Sequence, residues 1–187
     1  SCTTLAANTD DVVCWEDQSG NGNTATHDNN LQGNPPTFQD VLTDINSQPA
    51  LNFIAQGQRS NLEIPTTLLD AAGGSNTDDH TIIVVSRTTS SSNTDQGIVA
   101  FTSGNNDNQR SDRYTGLRYN LNPSGQTIEP VVAQAGNGDA NGAAANATIT
   151  NFQLLTSRFE SGTGNVALEV NGTQEATGTG DASLSPA

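Results

Sequence analysis

Apolar positions along the chain fall in short clusters broken by Gly, Asn, Ser and Thr, and they repeat with the period of strands rather than helices. Val12-Val13-Cys14-Trp15 is short and β-prone, Ala50-Leu51-Asn52-Phe53-Ile54 alternates, and Leu62-Glu63-Ile64 follows after a polar turn. Thr81-Ile82-Ile83-Val84-Val85-Ser86-Arg87 is apolar on both sides of a strand, which predicts a central strand covered above and below. Residues 96–101, 116–120, 129–133, 152–159 and 166–170 continue the series. Asn171-Gly172 after the last of these predicts a two-residue hairpin turn, because both positions tolerate positive φ. The one helical candidate is a single turn at residues 66–72, stopped by Gly73-Gly74. About nine short strands with hardly any helix predict an all-β protein, an antiparallel two-sheet β-sandwich or jelly roll. No repeat of fixed period points to a propeller or solenoid. Asn105-Asn106-Asp107-Asn108 and Gly136-Asn137-Gly138-Asp139 read as loop tips within one domain spanning residues 1–187.

Composition narrows the picture. Hydrophobic residues make up 32% and charged residues 14%, so the chain is polar but mostly uncharged. Its alternating apolar clusters still argue for folding over disorder. The charge sum is 6 − 20 = −14, and every cation is an arginine. That field repels phosphate backbones and anionic lipid, which speaks against nucleic acid and membrane surfaces as partners. No window approaches the roughly 18 apolar residues that cross a bilayer. With no methionine, the chain is expected to be a mature or excised piece of a longer protein. Cys2 and Cys14 predict a disulfide, and with it an oxidising compartment: secreted, extracellular or at the cell surface. The rival reading is two unpaired buried thiols. Zinc is disfavoured, since His27 and His80 do not stand at ligand spacing.

The strongest local pattern is Trp15-Glu16-Asp17-Gln18-Ser19-Gly20-Asn21-Gly22-Asn23-Thr24-Ala25, an aromatic leading into a Gly/Asn loop. It resembles the W-x-D-x-S-G-N-G-N opening of the concanavalin A-like, laminin-G-like jelly-roll domains of bacterial secreted proteins. Pro36-Thr37-Phe38, the stretch from Ile45 to Phe53, the strand beginning at Thr81, and Leu168-Glu169-Val170-Asn171-Gly172-Thr173 follow in the family's order. The resemblance spans residues 12 to 173 and implies a jelly roll. Such domains usually carry an apolar strand before the tryptophan segment and another after the late hairpin. Neither is visible here, so a trimmed fragment, or completion of the sheet by a neighbouring domain or subunit, is expected.

Enzymes occur on this fold, so the carboxylates need inspection. Retaining glycosidases require two acids about 5 Å apart, and no E-x-D-x-x-E pattern occurs. Glu16 and Asp17 are adjacent, Glu169 stands alone on its strand, and no Gly-x-Ser-x-Gly elbow is present. Binding is better motivated. Arg110, Arg113 and Arg118 fall within nine residues, interleaved with Tyr114 and Tyr119. Alternation sends Arg118 and Asn120 to one face and Leu117 and Tyr119 to the other. Phenol rings stack on apolar sugar faces and guanidinium forks onto hydroxyls or carboxylates. These six residues (Arg110, Arg113, Tyr114, Arg118, Tyr119 and Asn120) are therefore the candidate glycan site. The bland alternative is that the arginines neutralise surface acids.

Asp78, Asp79, Asn105, Asp107 and Asp112 are candidate Ca²⁺ ligands; the rival reading is simple solubility. Trp15 is expected to plug the core, and Asp17 to fasten the Ser19, Gly20, Asn21, Gly22 and Asn23 loop through its carboxylate. The expected function is thus a non-catalytic carbohydrate-binding or adhesion module of a larger secreted or surface protein. Its partner would be a glycan or cell-surface polysaccharide. The alternatives are a structural subunit of a surface filament, pilus or layer, and, further off, a polysaccharide hydrolase or lyase.

Overall fold

The computed structural model describes residues 2, 6–27, 33–53, 59–64, 79–89, 96–102, 114–122, 125–133, 139–141, 145–146, 150–160 and 163–179. Two units, Ser1–Ala71 and Ala72–Ala187, each make most of their contacts internally. The helical turn expected at 66–72 lies outside the described residues.

The first unit is built from short pairs. β1 (Cys14–Trp15) runs antiparallel to β2 (Ala25–Thr26). β3 (Gly33–Asn34), β4 (Thr37–Leu42) and β5 (Gln48–Asn52) follow, with a 3-10 turn at Thr43–Ile45 between the last two. β4 and β5 pair antiparallel, and β6 (Arg59–Ser60) runs parallel to β3. Asn46 and Ser47 close the β4–β5 turn with φ of 54° and 58°, and the Ser47 amide donates to the Leu42 carbonyl at 3.0 Å. Single backbone bonds sew the rest together. The Val12 amide donates to Pro36 O at 2.8 Å, and Thr26 and Glu63 exchange amide bonds of 2.8 and 2.7 Å. Val12 is buried, whereas Val13, one residue on, is 56% exposed.

The second unit contains β7 (His80–Ser86), β8 (Gln96–Thr102), β9 (Tyr114–Asn122), β10 (Gly125–Ala133), β11 (Asp139–Asn141), β12 (Ala145–Asn146), β13 (Gln153–Glu160), β14 (Asn165–Val170) and β15 (Thr173–Thr179). They form two antiparallel sheets. One has the order β11-β10-β9-β8, with β12 also on β10; the other has the order β15-β14-β13-β7. Leu117, Tyr119 and Ile128 of the first sheet share one buried cluster with Leu155, Leu168, Val170 and Ala176 of the second. Burying each large aliphatic side chain contributes roughly 1.5–3 kcal/mol, so this cluster is the larger apolar contribution among the described residues of the unit. β13 shows why the sequence makes a strand here. Gln153, Leu155, Ser157 and Phe159 are buried while Leu154, Arg158 and Glu160 are exposed, a period of two.

The β14–β15 hairpin turns on Asn171 and Gly172, whose φ values are 53° and 81°. Asn171 also returns to β13. Its amide donates to Leu154 O at 2.8 Å and its Oδ1 accepts from the Leu154 amide at 3.0 Å. β7 corrects an expectation. Among the described residues it ends its sheet instead of lying at the centre, and Ile83 and Val85 are 68% and 54% exposed. β-branched residues suit any pleated position, buried or not, so an apolar run alone does not mean cover on both faces.

Candidate functional site

β9 was expected to carry the glycan contacts. Its alternation is as anticipated: Leu117 and Tyr119 enter the buried cluster together, which sends Arg118 to the opposite face. Arg118 is only 8% exposed, with Glu129 of β10 as its cross-strand partner on one side and Gly97 of β8 on the other. Tyr119 is 3% exposed, and its hydroxyl lies 2.7 Å from Ser86 Oγ. Burial pushes its phenol pKa up, and the bond to Ser86 only partly opposes this. Tyr119 is therefore a core residue with an internal partner, with no ring face left for a sugar, and Arg118 offers no open guanidinium. Tyr114 and Asn120 occupy the first position and the seventh-residue stretch of the same strand. Arg110 and Arg113 lie outside the described residues.

Of the calcium candidates, Asp78, Asn105, Asp107 and Asp112 also lie outside the described residues, and Asp79 is exposed just before β7. Among the described residues, no group of three or more His, Cys, Asp or Glu is placed to hold a metal ion. Two of the carboxylates on β13 and β14 have local tasks. Glu169 pairs with Arg158 across β13 and β14, and Glu160 accepts from Thr163 Oγ1 and Asn165 Nδ2, each at 3.2 Å.

The tryptophan segment gathers most of the remaining chemistry. A disulfide joins Cys2 to Cys14, with Cα atoms 5.7 Å apart, and ties the N-terminal stretch to β1. β1 and β2 then open into the loop between Glu16 and Thr24. Asp17 organises it. Its carboxylate accepts from the Ser19 amide at 2.7 Å, the Ser19 hydroxyl at 2.8 Å and the Asn23 amide at 2.9 Å. Ser19 passes the restraint on, its Oγ accepting from the Asn21 amide at 3.3 Å and from Asn21 Nδ2 at 3.1 Å. These donors favour the charged form, so the Asp17 pKa is lowered. The Ser19 hydroxyl contributes most, followed by the amides of Ser19 and Asn23. Gly20 and Gly22 sit at φ of 81° and 78° in open space; glycine is needed there for its backbone, not for lack of room.

Trp15 reverses its expectation. It is 45% exposed, not a core plug, and it stands where the strand enters the Asp17 loop. Nearby, His27 is buried, its Nδ1 3.2 Å from Asn61 O. A signal for the exposed tryptophan was present. Alternation puts Val12 and Cys14 on one side and Val13 and Trp15 on the other, and a cysteine committed to a cross-link claims the inner side. Comparison with protein-family models, curated proteins and solved structures yields no significant match to this chain.

Proposed function

We propose that this chain is a non-catalytic, extracellular carbohydrate-binding or adhesion module of a larger secreted or surface protein, and that the sugar stacks on Trp15. The observation that carries this reading is the half-exposed indole of the sole tryptophan, set at the mouth of a loop locked by Asp17. Large aromatics are usually spent on the core, and one held at the surface beside a rigid polar loop is suited to an apolar sugar face rimmed by hydroxyls. The Ser19, Asn21 and Asn23 positions supply hydrogen-bonding groups within that loop. Compared with the site expected on β9, the contact moves from one strand's arginines to the end of another.

The disulfide supports an oxidising compartment. The cluster shared by both sheets of the second unit supports a stacked, concanavalin A-like sandwich there. Calcium, with Asp78, Asp79, Asn105, Asp107 and Asp112 as its candidate ligands, belongs to the proposal. A glycan array probed with the full chain, with and without EDTA, and with Trp15→Ala in parallel, tests the reading. Binding that Trp15→Ala abolishes without unfolding the protein is the expected result. No bound glycan, or a variant that binds as the parent does, would overturn it; EDTA separates the calcium claim from the rest.

A further inference from the structure

The chain holds four Asn-Gly pairs, at residues 21–22, 137–138, 141–142 and 171–172. Such a pair carries its own reactants. Glycine has no Cβ, so nothing attached to it shields its amide nitrogen from the asparagine carboxamide that precedes it. Asn21-Gly22 and Asn171-Gly172 are described with their side chains, and all four residues are exposed, so access of water does not separate the two pairs. Their hydrogen bonds do. The Asn171 amide donates to Leu154 O at 2.8 Å, and Asn171 Oδ1 accepts from the Leu154 amide at 3.0 Å. The carboxamide is thus tied to the backbone of β13, and it cannot swing toward the Gly172 nitrogen until that bond opens.

Asn21-Gly22 lies in the loop between β1 and β2. Asp17 holds the amides of Ser19 and Asn23 on either side of it, at 2.7 and 2.9 Å. Between those anchors, the side chain and amide of Asn21 reach the Ser19 hydroxyl, at 3.1 and 3.3 Å. Both are long bonds to a rotatable group on an exposed loop, and such bonds open readily. Gly20 and Gly22 flank Asn21 at φ of 81° and 78°, with nothing within 4 Å of where a Cβ would stand. The carboxamide therefore has room to turn onto the Gly22 nitrogen.

We propose that Asn21 is a self-modification site, at which the carboxamide is lost to Gly22, whereas Asn171 is protected by Leu154. The Gly22 nitrogen gives its proton to solvent and attacks Asn21 Cγ. A C–N bond forms, the Cγ–Nδ2 bond breaks, and Nδ2 leaves as ammonia with a proton from solvent, giving a succinimide. Water then adds to one of the two ring carbonyls, leaving isoaspartate or aspartate at position 21; no oxidant or reductant is involved. The product adds a second negative charge to a loop whose donors already serve Asp17. No glycan enters the test, so this proposal stands apart from the Trp15 reading. The full chain is incubated at mildly alkaline pH, native and in urea. Peptide mapping by mass spectrometry and enzymatic isoaspartate methylation then follow each site. In the native protein, Asn21 is expected to convert about tenfold or more faster than Asn171, the retardation that two hydrogen bonds to Leu154 impose. In urea the two rates should converge. Gly22→Ala, with its fold checked by circular dichroism, should slow conversion at residue 21 and leave Asn171 unchanged. Native Asn171 converting as fast as Asn21 would overturn the proposal. So would an Asn21 that converts in urea but not in the folded chain, or a rate ratio that urea leaves unchanged.

Discussion

The Tyr119 hydroxyl lies 2.7 Å from Ser86 Oγ and thereby links the two sheets of the second unit, Tyr119 standing on β9 and Ser86 at the end of β7. The bond explains how a phenol can be buried without penalty. It also removes Tyr119 from any role at the surface. Tyr119→Phe is expected to cost about 0.5–1.5 kcal/mol in urea unfolding, the net worth of a neutral hydrogen bond. A double-mutant cycle with Ser86→Ala should return a coupling of similar size. Additive losses would show that the two hydroxyls do not depend on each other.

The β14–β15 turn offers a backbone test. Gly172 sits at φ of 81° with nothing near its Cα on the side a methyl would occupy, so any penalty on Gly172→Ala is conformational rather than steric. A loss of about 1 kcal/mol is expected. A neutral result would mean that the turn relaxes to another type. By contrast, Leu168→Ala removes a side chain with no exposure and should cost 2–5 kcal/mol, on the order seen for large-to-small core changes.

How much of this was readable in advance depends on what each residue must satisfy by itself. Asn171-Gly172 was legible because two consecutive positive φ values restrict the residue choice. The direction of Leu117 and Tyr119 was legible because alternation along a strand is geometric. The direction of Arg118 followed too, but its burial did not, because alternation along one strand does not report how far a side chain is covered. β7 misled for a similar reason: Ile and Val favour extended backbone whether or not another layer covers them. Trp15 misled because the general preference of indole for the interior outweighed the two-residue alternation that pointed it outward.

The Asp17 loop has a pH signature. A carboxylate whose pKa is lowered in the fold binds its proton less tightly there than in the unfolded chain. Its contribution to stability is therefore complete above the ordinary carboxylate range and is lost as pH falls through the lower folded value. Carboxyl ¹³C shifts should show Asp17 titrating below its ordinary range, with Ser19 and Asn23 amide shifts following the same curve. Asp17→Asn should flatten that response. An ordinary Asp17 titration would mean that the loop is not held by its charge.

The most direct measurement of the central claim uses the sole tryptophan as its own probe. In the free protein, Trp15 emission should be that of a partly hydrated indole and should be quenched by acrylamide. Titration with a glycan selected on the array should shift the emission to shorter wavelength and protect it from quenching. Replacement by alanine should weaken glycan affinity by about 2 kcal/mol or more, roughly thirtyfold in Kd. Glycan binding that leaves the emission and quenching of Trp15 unchanged would contradict the account.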